Sequence, residues 1–343
     1  MLATRQEQVQ NLRVLQYGAM QSGRSPTPMP PGARATIWAT TGALLSAEDH
    51  QQSKITLTAL RHPIAIWEGI PMLDSITIRR MPFTFEEEID PVVVRGDLEQ
   101  SFAIVAGSLL LPHLEPYLIR SMKAAESAIE DPNLLQDLKR FAAQEGQHYR
   151  MHMKWNATIR RAGFPGLAEL EAELARDFDQ FSRNKSLRFN LAYAEGFEAF
   201  TTNAVKLLME PDGFGEDLSP FMQMLEWHFV EELEHRHVAF DVYEHVCGGY
   251  FYRLFVGIYA QWHFTRWIRR TAKYMLKAHA KRAQKGAPGD VVDGTTFTMP
   301  RVRDVLPSLF RIYLPSYTPH RVEVSEGMER LAERYTAMAL RQS

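Results

Sequence analysis

One cysteine, Cys247, is all that the 343 residues contain. No internal disulfide can form, and no cysteine-built zinc or iron–sulfur site. A reducing, cytoplasmic setting fits such a chain. Charge of one sign is also missing: 39 Lys and Arg stand against 41 Asp and Glu, for a net charge of −2. Bulk electrostatics therefore gives no reason to expect a nucleic acid as partner. No window offers 18 apolar residues free of charge. The nearest, Tyr250–Ile268, is interrupted by Arg253, Gln261, His263 and Arg266 and reads as an amphipathic helix, not a membrane span. The first residues lack a basic start followed by an apolar run, so no secretory signal is expected. The GxGxxG, P-loop and GxSxG fingerprints are absent, and no hairpin or βαβ pattern interrupts the middle of the chain.

What is present is helical. Residues 1–70 read as a loosely attached extension, because Ser22–Arg34 is a Pro/Gly/Ser linker that cannot be helical. A helical domain is expected over 71–343. Its first long helix starts near Asp97, with Pro112 expected to kink it. The second opens with Asp131 as cap and Pro132 at the first position and closes at Gly163. A third runs from Ser186 to the Pro211–Gly213 stop. A fourth is capped by Ser219, with Pro220 behind it, and ends at Gly248–Gly249. A fifth, aromatic and basic, spans about Tyr250–Lys281. A loop at 285–294 and a helical segment near Val324–Leu340 complete the chain.

Two of these helices repeat one signature. The second carries Glu145-x-x-His148 and the fourth carries Glu232-x-x-His235. Positions i and i+3 share a helix face, so each pair can grip a metal ion, and two facing pairs can grip two. A single such motif means little, since charged helix faces are common. A ferritin-like carboxylate bundle needs both, plus one Glu from each of two other helices. Glu115 sits among leucines on the first helix, where an acid is costly unless paired or metal-bound. The third helix offers Glu195 and Glu198, either of which could bridge. His228 lies on the Glu232–His235 stripe and adds a third histidine; its bland alternative is a polar residue at the stripe's edge. His152 is a weaker candidate. His237, Glu231 and Glu234 point to other faces, solvated or supporting, and Asp241 is a candidate to orient a ligand imidazole. Mixed carboxylate and imidazole donors suit iron or manganese, with zinc less favoured.

The segments PHLEPYLIRSM, QEGQHYRMHMKWN, FEAFTT and WHFVEELEHRHVAFDVY resemble the family of predicted metal-dependent hydrolases, over roughly 76–282. Their spacing is also similar to that of p-aminobenzoate N-oxygenase and related non-haem di-iron oxygenases. The resemblance implies an all-α, ferritin-like bundle with additional C-terminal helices. It places metal ligands at Glu115, Glu145, His148, Glu198, His228, Glu232 and His235, and it favours Glu198 over Glu195.

The leading expectation is a di-iron oxygenase or oxidase: two Fe ions, O2 as co-substrate, an external electron donor, and a small apolar organic substrate. Manganese or zinc would be the substitute ions. The alternative is two-metal hydrolysis of an ester or amide, with Glu195 or Glu234 as catalytic base. Iron storage fits less well, because the aromatic fifth helix and extra length suggest a pocket. That helix is either core packing with a solvated basic end or a surface that meets the inner membrane. A homodimer is a further expectation.

Overall fold

A computed structural model of the chain describes Leu73 and residues 75–87, 89–94, 96–209, 211–283, 307 and 309–341. The expected extension over 1–70 and the loop at 285–294 lie outside the described residues. Among the described residues the fold is all-α, with no β-strand. Its helices are α1 (Leu98–Lys123), α2 (Pro132–Arg161), α3 (Leu167–Asn184), α4 (Leu187–Met209), α5 (Pro220–Glu234), α6 (Val238–Val246), α7 (Tyr250–Ala283) and α8 (Glu326–Leu340).

The starts of these helices follow local chemistry. Asp97, Asp131 and Ser219 each accept a hydrogen bond from a first-turn amide, satisfying a donor that has no partner inside the helix. Proline follows at the first position of α2 and α5, where its missing N–H costs nothing. Gly163, just past α2, adopts φ +90°, the left-handed conformation that glycine takes without strain.

Helix α1 runs through Pro112 and Pro116 as one helix. Pro112 cannot donate to the carbonyl of Ser108, and that carbonyl instead accepts from Asn156 Nδ2 of α2 at 2.8 Å. The fourth helix is two helices, α5 and α6, separated at His235–His237 without a glycine or proline. Helix α3 is additional; its apolar positions Leu167, Leu170, Leu174, Phe178 and Phe181 recur at three- and four-residue spacing.

Helix α1 is the centre of the packing, lying against α2, α3, α4 and α7; α4 in turn meets α5, α6 and α7, and α2 meets α5 and α6. The stretch Leu98–Ala128 is long and apolar enough to cross a membrane, yet 67% of its apolar window is buried within the fold. That is the pattern of a central core helix. Before α1, a non-helical segment buries Ile76, Arg79, Met81 and Phe83 against the bundle. One close approach needs a glycine: a Cβ on Gly196 of α4 would lie 2.5 Å from the Cα of Gly257 on α7.

Candidate metal centre

Helices α1, α2, α4 and α5 each turn acids or imidazoles into their shared interior. Glu115 comes from α1, Glu145 and His148 from α2, Glu198 from α4, and His228 and Glu232 from α5; His235 is the residue that caps α5. All seven are essentially inaccessible to solvent. His235 Nε2 lies 3.3 Å from Glu145, 3.4 Å from Glu198 and 3.5 Å from Glu232. His148 Nδ1 lies 3.7 Å from both Glu145 and Glu232. His228 Nε2 is 2.8 Å from Glu232 Oε1. The trios Glu145/Glu198/His235 and His148/His228/Glu232 each place three donor atoms within 4.8 Å of one another. That separation suits one ion with bonds of roughly 2 Å.

Eight of these donor atoms are buried without a hydrogen-bond partner. They are both oxygens of Glu115 and of Glu198, Glu145 Oε1, Glu232 Oε2, His148 Nδ1 and His235 Nε2. Buried polar atoms are nearly always satisfied, so eight convergent exceptions need an explanation. Divalent cations supply it: four carboxylates balance two such ions, and inward lone pairs become ligands. The donor set therefore fits a pair of metal ions.

The outer hydrogen bonds fix which nitrogen of each ring faces inward. Gln144 Nε2 donates to Thr77 O at 2.9 Å and to Glu234 Oε2 at 2.7 Å, so its Oε1 accepts from His235 Nδ1 at 3.0 Å. His148 Nε2 donates to Glu231 Oε2 at 3.0 Å. Asn156, oriented by its bond to the Ser108 carbonyl, accepts from Ser108 Oγ at 2.8 Å; Ser108 Oγ must then accept from His152 Nδ1 at 2.7 Å. That leaves His152 Nε2 to accept from His228 Nδ1, also at 2.7 Å. Each of the three rings consequently presents a bare lone pair to the carboxylates, as a metal-binding imidazole does.

Electrostatics points the same way. Burial pushes His148 down to about 3 and His228 down to about 4, keeping them neutral. Burial also opposes charge on His235, but Glu232 and then Glu198 outweigh it and raise that ring well above the usual range. Burial, reinforced by Glu232, raises Glu115 and Glu145 well above ordinary carboxylates. The cavity calls for positive charge, and a proton is what it takes when no ion is bound.

A family model described as "Predicted metal-dependent hydrolase" matches residues 77–323. The chain belongs to this family. No curated protein and no solved structure matches the chain. The match covers every residue of the cluster and most of what supports it.

The remaining acids of this family member lie around the cluster, not in it. Glu195 is paired with Arg253 of α7 at 2.7 Å. Burial raises its carboxyl to about 7, with Arg253 working in the opposite direction. Glu234 accepts from Arg79 at 2.6 and 3.0 Å, from Gln144 and from the amide of Thr77 at 3.0 Å. Both oxygens of Glu234 are therefore occupied, whereas for Glu195 it is Oε1 that Arg253 holds. Glu231 is bonded to Arg79 at 3.1 Å and to Trp227 Nε1 at 2.8 Å as well as to His148. Glu231 and Glu234 are fully buried, so the solvated reading is corrected: helix periodicity does point them off the ligand stripe, but that side faces Arg79. Asp241 pairs with His320 at 2.9 Å, away from the ligand rings, and His237 sits 3.6 Å from Asp137.

Arg79, Gln144, Ser108 and Asn156 escaped the sequence reading. The one available signal was the Arg79–Arg80 pair within the mostly apolar stretch ITIRRMPF. Nearby, a cleft of about 550 Å³ opens between the end of α4 and residues 311–322. Lys206, Arg311 and Arg321 line it together with Asn203, Thr318 and Tyr317, and among the described residues no acid does. Asn203 is five residues beyond Glu198, about 7.5 Å along the helix axis. The Tyr317 ring lies 5.6 Å from the Arg253 guanidinium, and burial, followed by the charge of Glu195, raises its phenol.

Proposed function

We propose that the chain is a two-metal hydrolase that cleaves an ester or amide, using the cluster as a ferritin-like di-metal site. The observation that carries this is the set of eight buried, otherwise unpartnered donor atoms. Glu115, Glu145, His148, Glu198, His228, Glu232 and His235 would hold the ions. When bound, such ions supply Lewis acidity toward a carbonyl and an activated water.

The protein's own contribution is position and dryness. Arg79, through Glu231 and Glu234, and Gln144 hold His148 and His235 in one tautomer and orientation. Ser108, Asn156 and His152 do the same for His228. Burial strengthens every charge interaction with a reacting group. The cationic cleft supports a substrate with an anionic substituent: Lys206, Arg311 and Arg321 would meet that end, and Tyr317, which also lines the cleft, feels the charges of Glu195 and Glu198.

A second reading, O2 activation at two iron ions with an external electron donor, draws on a different observation. The donors are four carboxylates and three imidazoles borne on a helical bundle, with no thiolate, a set that suits iron. One experiment separates the two. Metal content is measured on the purified protein, and the zinc-, manganese- and iron-loaded forms are assayed on ester and amide panels. Ferrous protein is mixed with O2 in parallel. Two ions per chain with turnover of an ester or amide supports hydrolysis. No hydrolysis with any ion, together with rapid O2 consumption by the ferrous form, moves the function to the oxidase. Absence of bound metal in every form defeats both.

A further inference from the structure

Helix α7 contains eight arginines and lysines and no aspartate or glutamate in 34 residues. Its outward row divides in two. The first half presents Phe251, Phe255, Ile258 and Trp262, which are 81%, 77%, 49% and 55% exposed. They follow i, i+4, i+7 and i+11 spacing and so form one stripe. Continued at the same spacing, the second half presents Arg266, Arg269, Lys273 and Lys277, all exposed. Phe310 and Leu314 enlarge the apolar end: both are exposed, and their segment is tied to the start of α7 by Tyr250 Oη donating to Tyr313 O at 2.5 Å. The opposite face of α7, with Val256, Ala260, Phe264 and Trp267, is buried, the core packing expected of this helix; the outer row takes no part in it.

We propose that the outer row of α7 docks the protein on an anionic lipid bilayer. Large aromatic side chains are rarely left in water in such a cluster unless something covers them. Trp and Phe favour the depth of the lipid headgroups, and Arg and Lys favour the lipid phosphates. The two sit in series on one helix, with the Arg266 guanidinium 5.5 Å from the Trp262 ring at the junction. A second copy of the chain is a poorer match, because its own α7 offers no acid to answer these cations. Helix α7 packs on α1 and α4, which carry Glu115 and Glu198, so docking places the cluster's scaffold directly over the membrane.

The test uses the full chain and sedimented vesicles of phosphatidylcholine alone or with phosphatidylglycerol. The wild type pellets with the phosphatidylglycerol vesicles, and high salt lowers the bound fraction. The triple variant Phe251→Ser/Phe255→Ser/Trp262→Ser weakens binding by about tenfold or more, and each of Arg269→Glu and Lys273→Glu by about fivefold. Unchanged circular dichroism shows that these surface variants fold. Trp262→Phe abolishes the blue shift of tryptophan emission that vesicles cause in the wild type. Binding that is absent, or that survives the triple variant, overturns the proposal. A wild-type dimer that the triple variant converts to monomer also overturns it and makes the row a self-interface.

Discussion

His152 Nε2 lies 2.7 Å from His228 Nδ1, and the hydrogen between them belongs to His228. The assignment comes from the far end of the chain. Pro112 frees the Ser108 carbonyl, Asn156 binds it, and the serine hydroxyl and both rings then have one consistent set of donors. His152, a weaker ligand candidate from sequence, forms a donor group with Glu115 and His228, but both of its nitrogens are hydrogen-bonded, to Ser108 and to His228, which fits a role in aiming His228. His152→Phe removes the acceptor for the His228 N–H. We expect metal affinity to fall by roughly ten- to a hundredfold, the usual loss when a supporting partner of a ligand imidazole is removed. Chelator competition reads this directly, and His152→Gln, which keeps an acceptor, recovers part of it. Affinity unchanged in His152→Phe would show that His228 needs no such support.

Arg79 is the only cation bonded to both Glu231 and Glu234 among the described residues, and all three side chains are buried. Removing one partner of a buried ion pair strands the other charge and costs roughly 3–5 kcal/mol. Arg79→Met therefore lowers unfolding stability by that amount in chemical denaturation. Adding Glu234→Gln recovers part of the loss. A loss under about 1 kcal/mol would mean that both carboxyls are neutral in the native protein.

In the metal-free protein, burial and then Glu232 push Glu198 up to about 7. The folded value exceeds the unfolded one, near 4.5. Folding thus favours the protonated form, and this contribution is complete below about pH 4.5 and lost as pH rises toward 7. Glu198→Gln mimics the protonated form at every pH. Its melting temperature relative to metal-free wild type should climb between pH 5 and pH 7.5. A constant offset would place the titration of Glu198 elsewhere.

Gly196→Ala tests the contact between α4 and α7. The added Cβ meets Gly257 backbone at 2.5 Å, where no flexible side chain can yield. Helices must separate, at a cost of about 1–3 kcal/mol. The shift also moves Arg253 from Glu195. Thermal unfolding should register the destabilisation, whereas Gly146→Ala, with nothing within 4 Å of its Cβ, should be stable.

The ligand stripe was readable because helical periodicity turns Glu-x-x-His into one face, and because an acid such as Glu115 stands out among leucines. Glu195 and Glu198 could not be separated by such reasoning: both are buried, and the tertiary structure distinguishes them, with Glu198 beside His235 and Glu195 paired with Arg253 on α7. The supports were invisible for the same reason. Arg79 meets Glu234 across 155 residues and Gln144 meets His235 across 91, so no local pattern announces them. The break between α5 and α6 carries no glycine or proline, and the helix-to-turn change at His235 left no mark in the sequence.

Glu145 gives the sharpest test of whether the cluster exists to hold ions. In the metal-free protein burial makes its carboxyl costly to charge, and crowding by Glu232 adds to that cost. Glu145→Gln removes that cost while keeping the shape. The metal-free variant should therefore melt at or above the metal-free wild type at neutral pH. With metal the order should reverse. Ligand binding stabilises the native state by about 2.7 kcal/mol at a hundredfold excess over the dissociation constant, and a variant lacking one ligand gains less. Melting curves of both proteins, with and without zinc or ferrous ion, contain the whole comparison. A variant that gains as much from metal as the wild type would remove Glu145 from the ligand set. A variant that is less stable even without metal would show that its carboxylate is a structural partner instead.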